Sequence, residues 1–248
     1  MTIGSGIKAS RRRVAWVQLN PFLRQLFESA ANYFRRGGGS LSRESVKAFF
    51  DRHRGDQPDP LVFDGSRSGY YDQLLQVMPQ QSAVRYIDLG CGTGGLCAFL
   101  RARSISFETY IGVDFSPIVG ELFHGDDAII RNASLDGEDL LEYLVPATHV
   151  VMINSICYQD TILEIPILRA ASRCKDAALL VVEPYPGLFW DTQFEGIRPR
   201  YRYPDQLMRE ASTLGWIPSR LVIFYLIKIG PLFLWPLAYS LSFKSVQV

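Results

Sequence analysis

The chain has 248 residues, a length that allows one large domain with a substantial core and a smaller added element. Its 26 basic and 25 acidic side chains give a formal net charge of +1, so no overall positive field recruits nucleic acid. The four cysteines lack metal-type spacing, and the N-terminus lacks the apolar core of a secretory signal. We therefore expect a reduced, cytoplasmic protein without a metal site.

Residues 1–80 are predicted to form a helical cap, or lid, over a main domain of residues 81–248. Apolar residues at helical spacing predict a helix within 14–35, and a second predicted helix ends at His53. A third helix begins near Gly69 and leads into the first strand.

The most informative segment joins a short apolar strand, 84–89, to a helix over 96–103. Between them, glycine occupies four of the six positions 90–95. A strand, a glycine turn and a helix let a ligand lie against the backbone with no side chain in the way. Asp88 stands just before the first glycine, where a carboxylate repels a pyrophosphate but suits a cation or a hydroxyl donor.

Further apolar and β-branched runs predict a parallel sheet whose strands are buried on both faces. They lie within 110–114, 128–135, 149–156 and 177–184. A helix is predicted over 204–215, and 216–229 with 232–248 are predicted to form a closing antiparallel hairpin.

The C-terminal segment 221–243 is strongly apolar, but Lys228, Pro231 and Pro236 interrupt it. Its uncharged part, 229–243, has 15 residues, which is fewer than the ~20 that a spanning helix needs. We therefore expect a hairpin and no stable membrane span, with contact to lipid or an apolar partner left open.

Two motifs resemble those of the class I S-adenosylmethionine-dependent methyltransferases. The first family motif is Asp-x-Gly-x-Gly-x-Gly, which this chain matches at Asp88, Gly90, Gly92 and Gly94. The glycines also fit a dinucleotide fingerprint, so they do not discriminate alone. The second motif does, because a strand that ends in Asp-x-Ser-Pro, here from Asp114, is typical of these methyltransferases.

The resemblance implies a Rossmann-like α/β fold of the class I methyltransferase type, mostly parallel, with an antiparallel C-terminal hairpin and an N-terminal helical cap. It implies that S-adenosylmethionine is the cofactor and that Asp114 takes its ribose hydroxyls. Where the family often has an adenine-binding Asp, this chain has Asn132 or Ser134. The other positions expected to line the cofactor site are Tyr71, Cys91, Phe115, Ala133 and Asn154.

Three residues are candidates for the catalytic site. His53 could reach the site from the cap, and Tyr158 could line the acceptor pocket or merely cap the next helix. Glu183 is either an acid that ties down its loop or a carboxylate that orients the acceptor, and both interpretations stay open. His149 lies within a buried strand, where a core role is expected.

The expected acceptor is a small molecule with an apolar or aromatic part, because the long loop 185–203 is dense in aromatic side chains. A metabolite or natural product fits, with an O-, N- or C-acceptor. Three alternatives remain: another displacement or cyclisation in the same fold, a non-catalytic partner protein, and a nicotinamide dehydrogenase. A homodimer or a partner protein could form through the cap or the C-terminal hairpin.

Overall fold

The computed structural model describes Ala48 and residues 68–79, 84–115, 127–186, 199–229 and 233–246. The strands are β1 (Arg85–Leu89), β2 (Thr109–Asp114), β3 (Ala128–Asn132), β4 (Thr148–Ile153), β5 (Ala178–Pro184), β6 (Trp216–Ile229) and β7 (Phe233–Ser245). Within the described residues they form a seven-stranded sheet in the order β3-β2-β1-β4-β5-β7-β6. β1 to β5 are mutually parallel, and β7 runs antiparallel to both β5 and β6. The predicted α/β fold with a C-terminal hairpin is confirmed.

Helices cover both faces of the sheet. They are α1 (Ser68–Leu75), α2 (Gly95–Ala102), α3 (Pro166–Ala171) and α4 (Pro204–Thr213), with 3-10 helices over Glu138–Tyr143 and Ile156–Tyr158. Because side chains alternate along a strand, the central strands β1, β2, β4 and β5 each serve two cores. Ile87 faces the core that Leu168 of α3 and Leu207 of α4 complete, while its neighbour Tyr86 faces the core under Phe99 of α2.

The strand order has its topological switch point between β1 and β4. From β1 the chain moves outward through β2 and β3, and it then returns to the other side of β1 to form β4 and β5. Ligands of open α/β sheets bind in the crevice at the carboxyl ends of the strands that flank such a switch. The crevice is therefore formed by the ends of β1, β2 and β4.

The C-terminal hairpin is longer than the strand on which it pairs. β7 follows β5 from Lys244, opposite Ala178, to Ala238, opposite Pro184. Residues 233–237 of β7 and their partners in β6 continue past the carboxyl end of β5. Among the described residues, no helix combines the length and the apolar character needed to cross a bilayer.

Several predictions fall outside the described residues. These are the cap helices within 14–35 and up to His53, and most of the aromatic loop, 187–198. The division into a cap and a main domain therefore stays a prediction, although α1 lies where its third helix was expected. The sequence analysis missed α3, which Pro166 begins at its first turn.

Candidate functional site

The turn after β1 depends on glycines with left-handed backbone. Gly90, Gly92 and Gly94 have φ angles of 80°, 54° and 78°, values that other residues rarely adopt. A Cβ atom on Gly90 would also lie 2.7 Å from the Cβ of Ser155, so the turn closely approaches the segment after β4. Gly94 then caps α2. The result is a backbone cradle at the switch point.

Asp114 ties this cradle to the end of β2. Its Oδ2 atom accepts a hydrogen bond from the backbone N–H of Gly92 at 3.0 Å. The N–H groups of Gly90 and Cys91 donate to the carbonyl of Val113 at 2.8 and 3.1 Å. The glycine motif and Asp114, the first residue of the second motif, are therefore joined directly, with a carboxylate at the rim of the cradle.

Asp88 lies behind the turn. It is only 3% exposed, and it accepts a hydrogen bond from the hydroxyl of Tyr110 at 2.5 Å. Burial raises the pKa of Tyr110 well above its usual range, and the charge of Asp88 raises it further. Asp88 thus joins β1 to β2 beneath the cradle.

The thiol of Cys91 is also buried. Its Sγ atom would lie 2.8 Å from a Cβ built on Gly112, so the side chain packs against β2. Burial raises the pKa of this thiol, and the nearby carboxylates of Asp88 and Asp114 add to the effect. Cys91 is therefore a neutral packing group at neutral pH.

The exit of β3 lies beside Asp114. The N–H of Ala133 donates to the Asp114 carbonyl at 3.0 Å, and the Asn132 amide donates to the same oxygen at 3.4 Å. The Ser134 hydroxyl donates to Asp136. The half-buried Phe115 continues the chain from Asp114. The chain after β3 is therefore hydrogen-bonded to the carboxyl end of β2.

The exit of β4 holds an unexpected polar group. Asn154 has a left-handed backbone with φ 50°, and its N–H donates to Val182 at 2.8 Å. The next residue, Ser155, is 7% exposed, and its Oγ atom has no hydrogen-bond partner among the described residues. That oxygen would lie 3.4 Å from a Cβ built on Gly90. The sequence analysis stopped at Asn154 and missed Ser155.

Glu183 is bound to the same segment. Its Oε1 atom accepts the backbone N–H groups of Ser155 and Ile156 at 2.9 and 2.8 Å. The side chain is 2% exposed. Burial raises the pKa of Glu183 to about 7, and the two N–H groups and Arg202 oppose that rise. Of its two predicted roles, these contacts support the acid that ties down its loop.

Arg202 holds the carbonyls of that segment. Its guanidinium donates to Ile156 at 2.9 Å, to Gln159 at 2.9 Å and to Asp160 at 2.7 Å. It also pairs with Glu210 of α4 at 3.1 Å, and its own side chain is 3% exposed. The sequence analysis did not single out Arg202, whose partners are distant along the chain.

Half-buried tyrosines stand close to this segment. Burial raises the pKa of Tyr201. Electrostatic repulsion from nearby acidic groups raises it further, and these groups are Cys157, Tyr158, Glu183 and Tyr70. The phenols of Tyr158 and Tyr70 therefore lie within electrostatic range of Tyr201.

The remaining candidates are placed differently. Tyr71 is buried, its ring lies 5.1 Å from that of Phe99, and its hydroxyl occupies the space that a side chain on Gly95 would need. His149 packs against Tyr86 in the core, and burial lowers its pKa to about 4. His53 lies outside the described residues.

These residues fit S-adenosylmethionine better than a phosphate-bearing ligand. The N–H groups of Gly90, Cys91 and Gly92 already donate within the protein, so the cradle does not present them to a phosphate. Asp114 brings a carboxylate to the rim, and the Ser155 hydroxyl is an orphaned polar group beside it. The cofactor offers hydroxyl, ammonium and sulfonium groups, which suit these oxygens, and it has no phosphate. Within the residues described by the structure, no group of three or more His, Cys, Asp or Glu side chains could hold a metal ion.

No protein-family model and no curated protein matches the chain. Solved structures do match. In the complex between the Haloferax volcanii Trm112 methyltransferase activator and a methyltransferase, the matching chain is 15% identical, with a TM-score of 0.59 over 79% of this chain and 97% of that one. A Thermotoga maritima S-adenosylmethionine-dependent methyltransferase, described as a possible histamine N-methyltransferase, is 16% identical, with a TM-score of 0.57 over 81% of this chain and 100% of that one.

The [4+2]-cyclase SpnF is also similar. It is 12% identical, with a TM-score of 0.55 over 78% of this chain and 86% of that one. At such identities the likeness is one of fold, and the fold agrees with the strand order and the cradle described above. This chain has the fold of the class I S-adenosylmethionine-dependent methyltransferases.

Proposed function

We propose that this protein binds S-adenosylmethionine and transfers its methyl group to a small molecule. The observation that carries the proposal is the left-handed glycine cradle whose Gly92 N–H binds the Asp114 carboxylate at 3.0 Å. The cradle lies at the switch point of a methyltransferase-type sheet, where this fold has its ligand crevice.

Residues around the cradle would hold the cofactor. Asp114 would accept hydrogen bonds from the ribose hydroxyls, and Asn132, Ala133 and Ser134 would border the adenine. When bound, S-adenosylmethionine supplies an electrophilic methyl carbon on its sulfonium. The chain would hold an acceptor in line with that carbon and exclude water, and positioning of this kind can supply much of a rate enhancement.

The acceptor would lie against the ends of β4 and β5. Tyr158 and Tyr70 lie within electrostatic range of Tyr201, and phenol rings close to the segment after β4 would suit an acceptor with an apolar or aromatic part. A metabolite or natural product in the cytoplasm fits this proposal. His53, in the proposed cap, remains the candidate for a general base, because the imidazole of His149 is buried in the core.

A non-methylating reaction is the second candidate. SpnF, whose fold this chain resembles, is by its name a cyclase. Glu183 is already engaged by two backbone N–H groups, so the described residues offer it little freedom to act as a base. Such a site would suit a reaction that requires the substrate to be held in one conformation and requires no proton transfer. The Trm112 complex similarly supports a partner protein as a component of the active form.

Calorimetric titration of the purified protein tests the proposal. S-adenosylmethionine and S-adenosylhomocysteine should bind with micromolar affinity, and NAD should not. Asp114→Ala should abolish the binding, whereas Asp205→Ala, which breaks an exposed ion pair with Arg209, should not. Binding of NAD alone would indicate a dehydrogenase, and binding of none of the three would favour a non-catalytic partner.

A further inference from the structure

Two buried side chains of opposite charge hold the segment after β4, residues 155–160. Glu183 of β5 accepts N–H groups from its first two residues. Arg202, which precedes α4, donates to three of its carbonyls. We call this pair the β4-exit clamp. Glu183 binds backbone N–H groups and Arg202 binds backbone carbonyls. Together they therefore fix the orientation of the peptide groups in the segment.

The clamp determines where the Ser155 hydroxyl lies. The N–H of Ser155 is bound to Glu183 on one side, while its Cβ approaches Gly90 on the other. Its Oγ atom is buried and has no hydrogen-bond partner in the described parts of the chain. A buried hydroxyl without a partner costs free energy, and a hydrogen bond from this oxygen to a ligand at the cradle would remove that cost.

We infer that Glu183 is a positioning residue that holds the Ser155 hydroxyl in place to hydrogen-bond the bound cofactor. The inference rests on the proposed function, since it requires that the cradle binds S-adenosylmethionine. It differs from a role in which Glu183 touches the acceptor, because the carboxylate acts through the backbone of residues 155 and 156.

Three substitutions separate these roles. Glu183→Gln keeps an oxygen that accepts both N–H groups but removes the charge. Glu183→Leu keeps the approximate volume but leaves both N–H groups without an acceptor. Ser155→Ala removes only the hydroxyl. Glu164→Gln, at an exposed carboxylate, is the control for loss of one negative charge.

The first measurement is the affinity for S-adenosylhomocysteine at pH 8, by calorimetry. Glu183→Gln and the Glu164→Gln control should bind within about threefold of the wild type. Ser155→Ala should bind roughly fivefold more weakly, as expected for one lost hydrogen bond. Glu183→Leu should bind at least about tenfold more weakly, because the segment loses both contacts.

Amide hydrogen exchange without ligand is the second measurement, and it does not depend on the cofactor. The amides of residues 155 and 156 should lose protection in Glu183→Leu and keep it in Glu183→Gln. Unchanged protection in Glu183→Leu would overturn the positioning role, as would equally weak binding by the Gln and Leu variants. If the wild type itself binds no adenosyl ligand, the proposed function fails, and the role of Ser155 fails with it.

Discussion

At the ends of β1 and β2 the backbone itself shapes the site, whereas at the ends of β4 and β5 buried charges hold it. The first region consists of left-handed glycines, and its acid, Asp114, is only half-buried. In the second region Glu183 and Arg202 are 2% and 3% exposed. The carboxylate of Asp114 is therefore partly open to solvent, whereas the charged groups of the second region are enclosed by protein. Substitutions in the two regions should differ in how they affect stability and binding.

Gly90→Ala should have the largest effect. The new methyl group would lie 2.7 Å from the Cβ of Ser155, at a residue whose φ is 80°. Crowding and left-handed strain together should lower the free energy of unfolding by about 4 kcal/mol, measured by urea denaturation. The control is Gly69→Ala in α1, where a Cβ meets nothing within 4 Å and φ is not positive. That change should be neutral or stabilise by up to about 1 kcal/mol. Equal losses would contradict the role of the cradle.

The pH dependence of the unfolding free energy should reveal the titration of Glu183 in the second region. Glu183 has a pKa raised from 4.5 to about 7 in the folded protein, chiefly by burial. Between these values the folded state binds more protons than the unfolded state, so its contribution to stability is lost as the pH rises from 4.5 towards 7. Relative to Glu183→Gln, the wild type should lose about 3 kcal/mol across this range, measured by denaturation. The comparison with the variant is needed because the pKa of His149, lowered to about 4, raises the stability of both proteins over much of the same range.

Glu183→Gln should lack this contribution, so its stability should rise with pH through His149, whereas Glu164→Gln should follow the wild type. The groups that face Glu183 are Cys157 after β4, Tyr201 and Arg202 before α4, and Tyr239 of β7. Burial raises the pKa values of Cys157, Tyr201 and Tyr239, so these three groups stay neutral across the range. The same slope in Glu183→Gln would assign the titration to another group.

Sequence alone revealed the first region because its determinants are local. The glycines and Asp88 stand within a few residues of one another, and each has a conformational or chemical reason to be there. The clamp joins residues that are distant along the chain: Glu183 lies 28 residues from Ser155, and Arg202 lies 46 residues from Ile156. No local pattern specifies such pairs, so Glu183 remained ambiguous and Arg202 passed unnoticed. The sequence analysis identified Asp88 but not its hydrogen bond to Tyr110, because Tyr110 lies on the neighbouring strand.

Tyr110→Phe tests the support beneath the cradle. Removal of the hydroxyl takes a donor from the buried carboxylate of Asp88, which should cost about 2 kcal/mol of unfolding free energy. Tyr86→Phe is the matched control, because Tyr86 lies opposite Tyr110 in the sheet and is equally buried. Among the described residues its hydroxyl donates to the sulfur of Met78, at 3.6 Å, which is a weak acceptor, so its loss should cost far less. A similar cost for both variants would mean that the ring, and not the bond to Asp88, supports the turn.

Ser155→Ala should have the smallest effect on stability and the most selective effect on binding. Without ligand, the change removes a buried hydroxyl that has no partner, so the unfolding free energy should stay equal or rise by about 1 kcal/mol. Ser240 of β7 provides the control, because its hydroxyl is also buried and lacks a partner in the described structure. Ser240→Ala should change stability in the same direction and leave cofactor affinity unaltered. Only at Ser155 would the gain in stability accompany weaker binding, because only there would the unsatisfied hydroxyl serve a ligand.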